Sequence, residues 1–378
     1  MGKWLILCQN WQPCVCVDTP GRWFHFSYGF HVVGLEHVVD HCNFDSYSWR
    51  IAMTAKKDRR NSSPFLRAAA PECPQDFMAL ASSAKPRPMA FVRATGPAIL
   101  ETARDALAKD LAQPILVGEA DQIAADAAAI GWDPSVVEIV HAEGEQGAIE
   151  SAINLVRDGR AAGLVKGQLH TDIFMGQIVR RSSGIRLDRR LIHIFAMVPS
   201  RGGRPLLISD AAVNISPDIE TRTEAALEMA RLLRNMGVDH PRIAVLSATE
   251  SELPAMPSSV DAARIVAAAS ATDSAANYAG PLSFDLAISP ESAVNKGIDM
   301  TTPAGAVVGY ADGLVVPDIV SGNLLFKSIV YFAGGIAAGL VVGGRVPIIL
   351  TSRSDPPNSR LASLVLAEIY ASMGGSSP

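Results

Sequence analysis

Apolar residues recur in short runs from Phe77 onward, and each run is followed by a longer stretch with the spacing of an amphipathic helix. The first strands are predicted at Met89–Val92, Ile115–Val117, Val136–Val140 and Gly163–Val165, and the helices between them at Gly96–Leu111, Glu119–Ile130 and Gly147–Arg157. Strands that alternate with helices of this length form right-handed βαβ units. The pattern therefore predicts an α/β fold with a largely parallel sheet.

The middle of the chain follows a different pattern. The apolar runs His193–Val198 and Pro205–Ser209 are separated by SRGGR, which predicts a β-hairpin with a glycine turn. The later elements are predicted to be the helices Pro217–Met236, Ser259–Ala269 and Asn323–Ala338 and the strands Ile243–Ser247, Gly339–Val342 and Pro347–Leu350. The chain thus returns to the sheet near its end.

The last predicted strand delivers a group of polar residues in VPIILTSRSDPPNSR, namely Thr351, Ser352, Arg353 and Asp355. In open α/β sheets, ligands bind at the carboxyl ends of the strands. A guanidinium beside a hydroxyl and a carboxylate can hold an anion, donate to an oxyanion and accept a proton. The other interpretation is an exposed polar turn before the following helix, with Asn358 or Ser359 as its N-cap.

Composition and charge describe a globular protein. The 378 residues are enough for two ordinary domains, and 48% hydrophobic with 19% charged residues excludes a disordered chain. The net charge of -5 gives no general affinity for nucleic acid or for an anionic membrane. The longest weakly polar run, Ile329–Gly343, is too short for a membrane-spanning helix.

The beginning of the chain departs from the βα pattern. Four of the five cysteines precede Met53, so the remainder has the composition of a reduced, cytoplasmic enzyme. Residues 1–76 are expected to be a leader that is poorly ordered, or the product of a start codon assigned too early. A zinc site is an alternative, but the spacings do not match a standard structural finger for the candidate ligands Cys14, Cys16, His37, His41 and Cys42.

Four stretches carry a resemblance to a known family. They are LVKGQLHTD from Leu164, LLISDAAVNISPDIETR from Leu206, AGPLSFDLAIS from Ala279 and PDIVSGNLLFKSIVYFAGGIAAGLVVGGRVPIILTSRSD from Pro317. Together they resemble the phosphate acetyltransferase and phosphate butyryltransferase family, and most closely the branch often fused to an enoyl-CoA hydratase domain. The likeness runs from about Phe77 to Tyr370.

The resemblance implies transfer of an acetyl, propionyl or butyryl group between coenzyme A and inorganic phosphate in a ternary complex. It implies no metal, no cofactor other than coenzyme A as a substrate, and a homodimer. The implied fold is that of the isocitrate and isopropylmalate dehydrogenases, which have two α/β domains with largely parallel sheets and an interdomain cleft. Domain one would comprise residues 77–190 and 343–378, and domain two residues 191–342.

Residue roles follow from the same resemblance. Ser352 would hydrogen-bond the thiol sulfur and Arg353 would polarise the acyl carbonyl or hold phosphate, with Thr351 beside them. The acetyltransferase branch places its proposed base seven residues after the serine, where this chain has Ser359. Asp355 is then the nearest carboxylate, as in the butyryltransferase branch, and it is either the general base or an acceptor at the start of a helix.

Two further groups of residues are candidates for binding the anionic substrates. Lys166 follows a strand and offers positive charge for phosphate, and Thr171 can cap the next helix while donating to the same ion. Gly322 and Asn323 are expected to open a helix whose free N–H groups favour an anion, although a plain N-cap by Asn323 or Ser321 is equally compatible. Asp318 precedes them and can orient Asn323 or Arg353, or pair with a lysine at the surface.

Two other functions remain open on the sequence. A metal-dependent decarboxylating dehydrogenase of the same fold needs clustered aspartates and several arginines, and no such acidic motif is evident. A catalytically weak protein that binds coenzyme A, acting as a sensor or scaffold, is compatible with Ser359 and with Met175, which stands where the acetyltransferase branch has an arginine.

Overall fold

The computed structural model describes residues 72–81, 85–302, 304–350 and 355–372, and three short strands that precede them. The chain divides into two units, Met1–Pro64 and Phe65–Pro378. In the first unit, β1 (Leu5–Leu7), β2 (Val15–Val17) and β3 (Trp23–His25) form an antiparallel sheet in that order. The five candidate zinc ligands lie outside the side chains that are described.

The second unit is built on one sheet. Its strands are β4 (Pro88–Val92), β5 (Gln113–Gly118), β6 (Glu138–His141), β7 (Leu164–Lys166), β8 (Ile192–Val198), β9 (Leu206–Ser209), β10 (Arg242–Leu246), β11 (Asn277–Leu282), β12 (Gly313–Val315), β13 (Ile336–Val342) and β14 (Ile348–Ile349). Their order in the sheet is β11-β10-β12-β9-β8-β13-β14-β7-β4-β5-β6. The sheet therefore places strands that are far apart in sequence side by side.

Helices cover both faces of this sheet. They are Gln75–Ala79, Pro97–Ala108, Ala120–Ala129, Gly144–Arg157, Thr171–Ile178, Ile219–Asn235, Pro257–Thr272, Phe284–Ile288, Pro290–Asn295, Ile319–Ser328 and Pro357–Ser372. Within the described part of the chain, no helix is long and apolar enough to cross a membrane.

The direction of the strands reverses in the centre of the sheet. The pairings β9–β8, β8–β13 and β13–β14 are antiparallel, whereas the other neighbouring strands pair in parallel. The predicted hairpin around SRGGR is confirmed as the β8–β9 pair. Because three antiparallel steps separate the two parallel flanks, the strands of one flank run opposite to those of the other.

The two faces of the sheet have different cores. One face carries a continuous cluster that includes Phe91 and Leu116 of one flank and Val245 and Val315 of the other. The opposite face carries two separate clusters, one over β4, β5 and β7 and one over β9, β10 and β12. His193 lies on this second face, because its neighbours Ile192 and Ile194 belong to the continuous cluster and side chains alternate along a strand.

One predicted helix is confirmed only in part. The stretch predicted as a helix over Asn323–Ala338 forms a helix only to Ser328, followed by a π-helical turn at Ile329–Ala333 and then by strand β13. Gly334 adopts a left-handed backbone with φ of 68°, which ends the helical segment. Ala337 and Ala338 of β13 favour a helix by local propensity, and the burial of the strand along its whole length outweighs that preference.

A buried carboxylate supports the outer part of the sheet. Asp312, which is 3% exposed, accepts from Arg242 Nε at 2.9 Å and from Arg204 Nη1 at 2.9 Å. Burial alone would raise the pKa of Asp312, but the hydrogen bonds and charges of both arginines outweigh it and hold the pKa below its ordinary value. The carboxylate therefore contributes stability while it is ionised.

We expect Asp312→Asn to lower the free energy of unfolding by about 2 to 3 kcal/mol, because Arg242 is left partly buried without its charged partner. For an acid with a depressed pKa, this stabilisation is present above the unfolded-state pKa of about 4 and is lost as pH falls through the folded-state value. Urea unfolding of the variant and of the unaltered protein, at pH 7 and at pH 3, measures this loss of stability at each pH. Asp239→Asn is the control, since Asp239 is exposed; equal losses for both variants would contradict the prediction.

Candidate active site

The strand that leads to the predicted catalytic residues is buried in the sheet. Thr351, Ser352 and Arg353 themselves lie outside the described residues, whereas Leu350 before them is 7% exposed. Asp355 is partly buried and precedes the helix Pro357–Ser372. Burial lowers the pKa of the Arg360 guanidinium, and the charge of Asp355 opposes that effect only in part. Leu350 and Asp355 are therefore the described residues on either side of the predicted catalytic residues.

Lys166 is the last residue of β7, the strand next to β14. Val165 of β7 pairs in parallel with Ile349 of β14, so Lys166 lies beside Leu350, the residue that follows β14. The Lys166 side chain is buried, with 4% of the residue exposed, and its Nζ lies 3.4 Å from the Gly167 carbonyl oxygen. Lys166 thus lies buried beside the end of β14, where the chain continues to residues 351–353.

The loop after Lys166 lies directly against strand β4. The Gly167 N–H donates to the Val92 carbonyl at 2.9 Å, and a methyl group on Gly167 would lie 2.5 Å from that oxygen. Only glycine allows this approach. Thr171 is exposed and is the first residue of its helix, and the N-cap His170 makes no capping bond with its side chain. The prediction that Thr171 caps this helix is therefore wrong.

Glu145 anchors the same loop, a contact that sequence reasoning missed. Its carboxylate accepts from the His170 N–H at 3.0 Å, meets His170 Nδ1 at 2.9 Å, and accepts from Arg93 Nη1 at 3.2 Å. Burial alone would raise the pKa of Glu145, but the His170 and Arg93 contacts outweigh it and lower the pKa. His170 therefore has an acidic partner that no local sequence spacing could reveal.

On the other flank, Asp318 caps the helix Ile319–Ser328. Its Oδ1 accepts from the Ser321 N–H at 2.9 Å, and both carboxylate oxygens lie 3.1 Å from Ser321 Oγ. The Gly322 N–H donates to the Asp318 carbonyl oxygen at 3.2 Å. The expectation that Gly322 and Asn323 open the helix with free N–H groups is therefore wrong, since the helix begins earlier and Gly322 already lies within it.

Gly322 and Asn323 instead hold this helix against the chain that follows β9. A methyl group on Gly322 would lie 2.6 Å from the Asp210 carbonyl oxygen and 3.0 Å from the Ala211 Cβ. The Asn323 side-chain amide donates to the Ala211 carbonyl at 3.4 Å. The glycine thus permits a close approach between helix and sheet, and the asparagine adds a weak bond across it.

Asp210 organises the chain after β9. Its Oδ1 accepts from the N–H groups of Ala212 and Val213, and its Oδ2 accepts from the His193 N–H at 3.0 Å and from Asn214 Nδ2 at 2.7 Å. Asn214 also donates to the Leu191 carbonyl. These two residues therefore satisfy buried backbone groups.

His193 lies between the two flanks. It is 0% exposed, neither ring nitrogen has a hydrogen-bond partner in the described part of the chain, and its ring packs edge-on against Phe195 at 4.3 Å between centroids. Burial lowers the pKa of His193 to about 4, opposed by the Asp210 charge and the Leu350 carbonyl. A lone histidine in the apolar run LIHIFAMV was the available signal for this residue, and sequence reasoning did not use it.

The predicted residues thus fall into two sets that converge on the centre of the sheet. Lys166 and the exit toward residues 351–353 belong to one flank, and Gly322 and Asn323 contact the chain after β9 on the other. His193 lies between these sets and is linked to Asp210 through its backbone N–H. Among the described side chains, no group of three or more His, Cys, Asp and Glu residues is arranged to hold a metal ion.

Comparison with curated proteins finds enzymes of one kind. A phosphate acetyltransferase of Rhizobium meliloti is 38% identical over 297 residues, which cover 75% of this chain and 92% of that protein. A phosphate butyryltransferase of Clostridium acetobutylicum is 31% identical over 274 residues, covering 72% of this chain and 89% of that protein.

Solved structures and a family profile agree with these relatives. A branched-chain phosphotransacylase from Enterococcus faecalis V583 matches with a TM-score of 0.65 and 31% identity, covering 75% of this chain and 99% of that one. The profile described as "Phosphate acetyl/butaryl transferase" matches residues 146–367, which include both sets of candidate residues. The chain belongs to the phosphate acetyltransferase and phosphate butyryltransferase family.

Proposed function

We propose that this chain transfers a short acyl group between coenzyme A and inorganic phosphate. The observation that carries the proposal is the parallel register of β7 and β14, which brings buried Lys166 beside Leu350, the residue that precedes Thr351, Ser352 and Arg353 in the sequence. The relatives named above, which include acetyl- and butyryltransferases, support the same reaction. The acyl groups proposed are acetyl, propionyl and butyryl.

The reaction is a direct exchange at the acyl carbon. A phosphate oxygen attacks the thioester carbonyl, a C–O bond forms, and the tetrahedral intermediate collapses with breakage of the C–S bond. The products are acyl phosphate and the coenzyme A thiolate, which takes up a proton. In the reverse direction, the thiolate attacks the acyl phosphate and phosphate leaves.

The residues divide this work by charge. Phosphate carries about two negative charges at neutral pH and the intermediate carries an oxyanion, so fixed cationic donors favour the transition state over the ground state. We propose that Arg353 binds the acyl carbonyl or phosphate, because its planar guanidinium binds two oxygens at once. Buried Lys166 is proposed to bind phosphate. Ser352 is assigned to the sulfur and Thr351 to the phosphate beside it.

Asp355 is the proposed base for the thiol. A free thiol has a pKa near 8.5, so only a few per cent is thiolate at pH 7 and a nearby acceptor speeds the reverse reaction. Asp355 lies partly buried between the catalytic segment and the helix Pro357–Ser372. Its position after the serine is the one found in the butyryltransferase branch.

The opposite flank is proposed to close the substrate site. Asp318 stabilises the start of the helix Ile319–Ser328, and Gly322 lets that helix lie against Asp210. The Asn323 amide and the exposed Thr171 hydroxyl are proposed to contact the substrate oxygens. Asp318 would then act indirectly, by fixing the helix that carries Asn323.

The proposal also covers how the fold divides into domains. We infer two α/β domains of the isocitrate and isopropylmalate dehydrogenase kind, residues 77–190 with 343–378 and residues 191–342, with the substrates between them. The opposed flanks and their separate clusters on one face support this division. We also propose that the enzyme is a cytoplasmic homodimer.

The function is tested by incubating the purified protein with acetyl-, propionyl- or butyryl-coenzyme A and phosphate, and by measuring thiol release. Release that depends on phosphate and yields acyl phosphate supports the proposal. Binding of coenzyme A without turnover would instead indicate a sensor or scaffold, and turnover that needs a divalent cation and a nicotinamide would indicate a dehydrogenase.

We expect Arg353→Ala to lower kcat on the order of a hundredfold, the usual loss when an oxyanion donor is removed. The thermal unfolding temperature should change little. Arg264→Ala is a matched control, because Arg264 is an exposed arginine on the helix Pro257–Thr272. An unchanged kcat for Arg353→Ala would remove Arg353 from the mechanism.

For Asp355→Asn, we expect a lower kcat together with loss of the acidic limb of the pH–rate profile in the acyl-phosphate direction, because a base acts only when ionised. The profile is measured with acetyl phosphate and coenzyme A from pH 5 to 9. A parallel drop at every pH would show that Asp355 positions the segment and accepts no proton.

Gly322→Ala should lower activity by on the order of tenfold or more, because a methyl group 2.6 Å from the Asp210 carbonyl must displace the helix that carries Asn323. Gly147→Ala is the control: it is a helical glycine with open space around it, and alanine there should stabilise its helix by about 0.5 to 1 kcal/mol. Steady-state kinetics and thermal unfolding of both variants check the prediction. Equal kcat and KM values for Gly322→Ala and Gly147→Ala would contradict it.

A further inference from the structure

His193 combines complete burial with two unused ring nitrogens. It is 0% exposed, and neither Nδ1 nor Nε2 has a hydrogen-bond partner among the residues that the structure describes. A buried polar group without a partner destabilises a fold, and an apolar side chain of similar volume removes that cost. A histidine in this position therefore calls for a reason other than packing.

The backbone around His193 is held firmly on two sides. Its own N–H donates to Asp210 Oδ2, and the same carboxylate accepts from three further groups. The neighbouring strand is held from the opposite face, where the Gly339 N–H donates to the fully buried Ser363 Oγ at 2.9 Å. The imidazole thus projects from a rigid frame into a fixed space.

The space beside Gly339, where another residue would have its side chain, is bordered by the His193 ring and by the end of β14. A methyl group on Gly339 would lie 3.1 Å from His193 Nε2 and 3.1 Å from the Leu350 carbonyl oxygen. Both atoms therefore border the volume that the glycine leaves empty. The carbonyl is close enough to raise the pKa of the ring against the effect of burial, although it falls short of hydrogen-bond geometry.

We propose that His193 is a positioning residue whose Nε2–H faces the Leu350 carbonyl oxygen across the space left by Gly339, attracts it at longer than hydrogen-bond range, and so sets where the chain leaves β14 toward Ser352 and Arg353. Burial keeps the imidazole neutral, with one N–H to donate. A small shift of this exit would displace both catalytic side chains relative to Lys166. The inference rests on the proposed function for its kinetic test.

The test compares His193→Leu with His193→Gln. Leucine removes both nitrogens, so kcat is expected to fall on the order of tenfold to a hundredfold while KM for both substrates changes little. The unfolding temperature of His193→Leu should equal or exceed that of the unaltered protein. Glutamine can return an amide N–H near the place of Nε2 and is expected to recover most of kcat.

Ser209→Ala is the matched control. Ser209 Oγ is also fully buried and without a partner, but it lies on the adjacent strand β9 and on the face of the sheet opposite to His193. The kcat of Ser209→Ala should remain within twofold of that of the unaltered protein. A His193→Leu variant with kcat within twofold, or a His193→Gln variant as slow as His193→Leu, would overturn the proposal.

Two measurements keep the inference testable if His193→Leu fails to fold or if the unaltered protein shows no acyl transfer. Nitrogen-15 NMR of the histidine-labelled protein should show the Nε2–H tautomer of His193 at pH 7; the Nδ1–H tautomer would overturn the proposal. Gly339→Ala fills the space that the ring and the end of β14 border and should alter the Nε2 chemical shift. Absence of acyl transfer would refute the proposed function but leave this structural result standing.

Discussion

The central constraint on this structure is the antiparallel reversal between β9 and β14. It turns the two parallel flanks against each other, so their carboxyl ends point in opposite directions along the strands. Polar residues that follow strands of either flank can then meet over the middle of the sheet, where β8 and β13 are shared by both. A purely parallel sheet would place all of those residues along a single edge.

The reversal also explains how a polar region can lie within a hydrophobic protein. The continuous cluster on one face supplies the common core, which frees the opposite face to carry two smaller clusters with polar groups between them. Asp210 is buried there and is satisfied by four donors, so it fixes backbone instead of creating an unpaired charge. Glu145 has the same function beside Lys166, since it fixes the loop through His170 and Arg93.

Much of this arrangement was predictable from the sequence, because the alternation of short apolar runs with amphipathic helices is a local signal. Lys166 could be placed at the end of a strand for the same reason. Only the second part of β13, Gly339–Val342, could be predicted as a strand, because the residues Ile336–Ala338 before it are placed in the sheet by tertiary contacts that local propensity does not report. The cap at Asp318 was missed because the predicted helix started too late, and the His170 and Glu145 pair joins residues 25 positions apart.

The helix Pro357–Ser372 has a further consequence for how the chain is made. It is buried over most of its surface and packs on the continuous cluster, yet it follows all of the strands in sequence. A nascent chain emerging from the ribosome therefore exposes part of the apolar face of the sheet until this helix appears. Such exposed surface attracts chaperones and favours aggregation, so closure of the continuous cluster waits for a helix made after all of the strands.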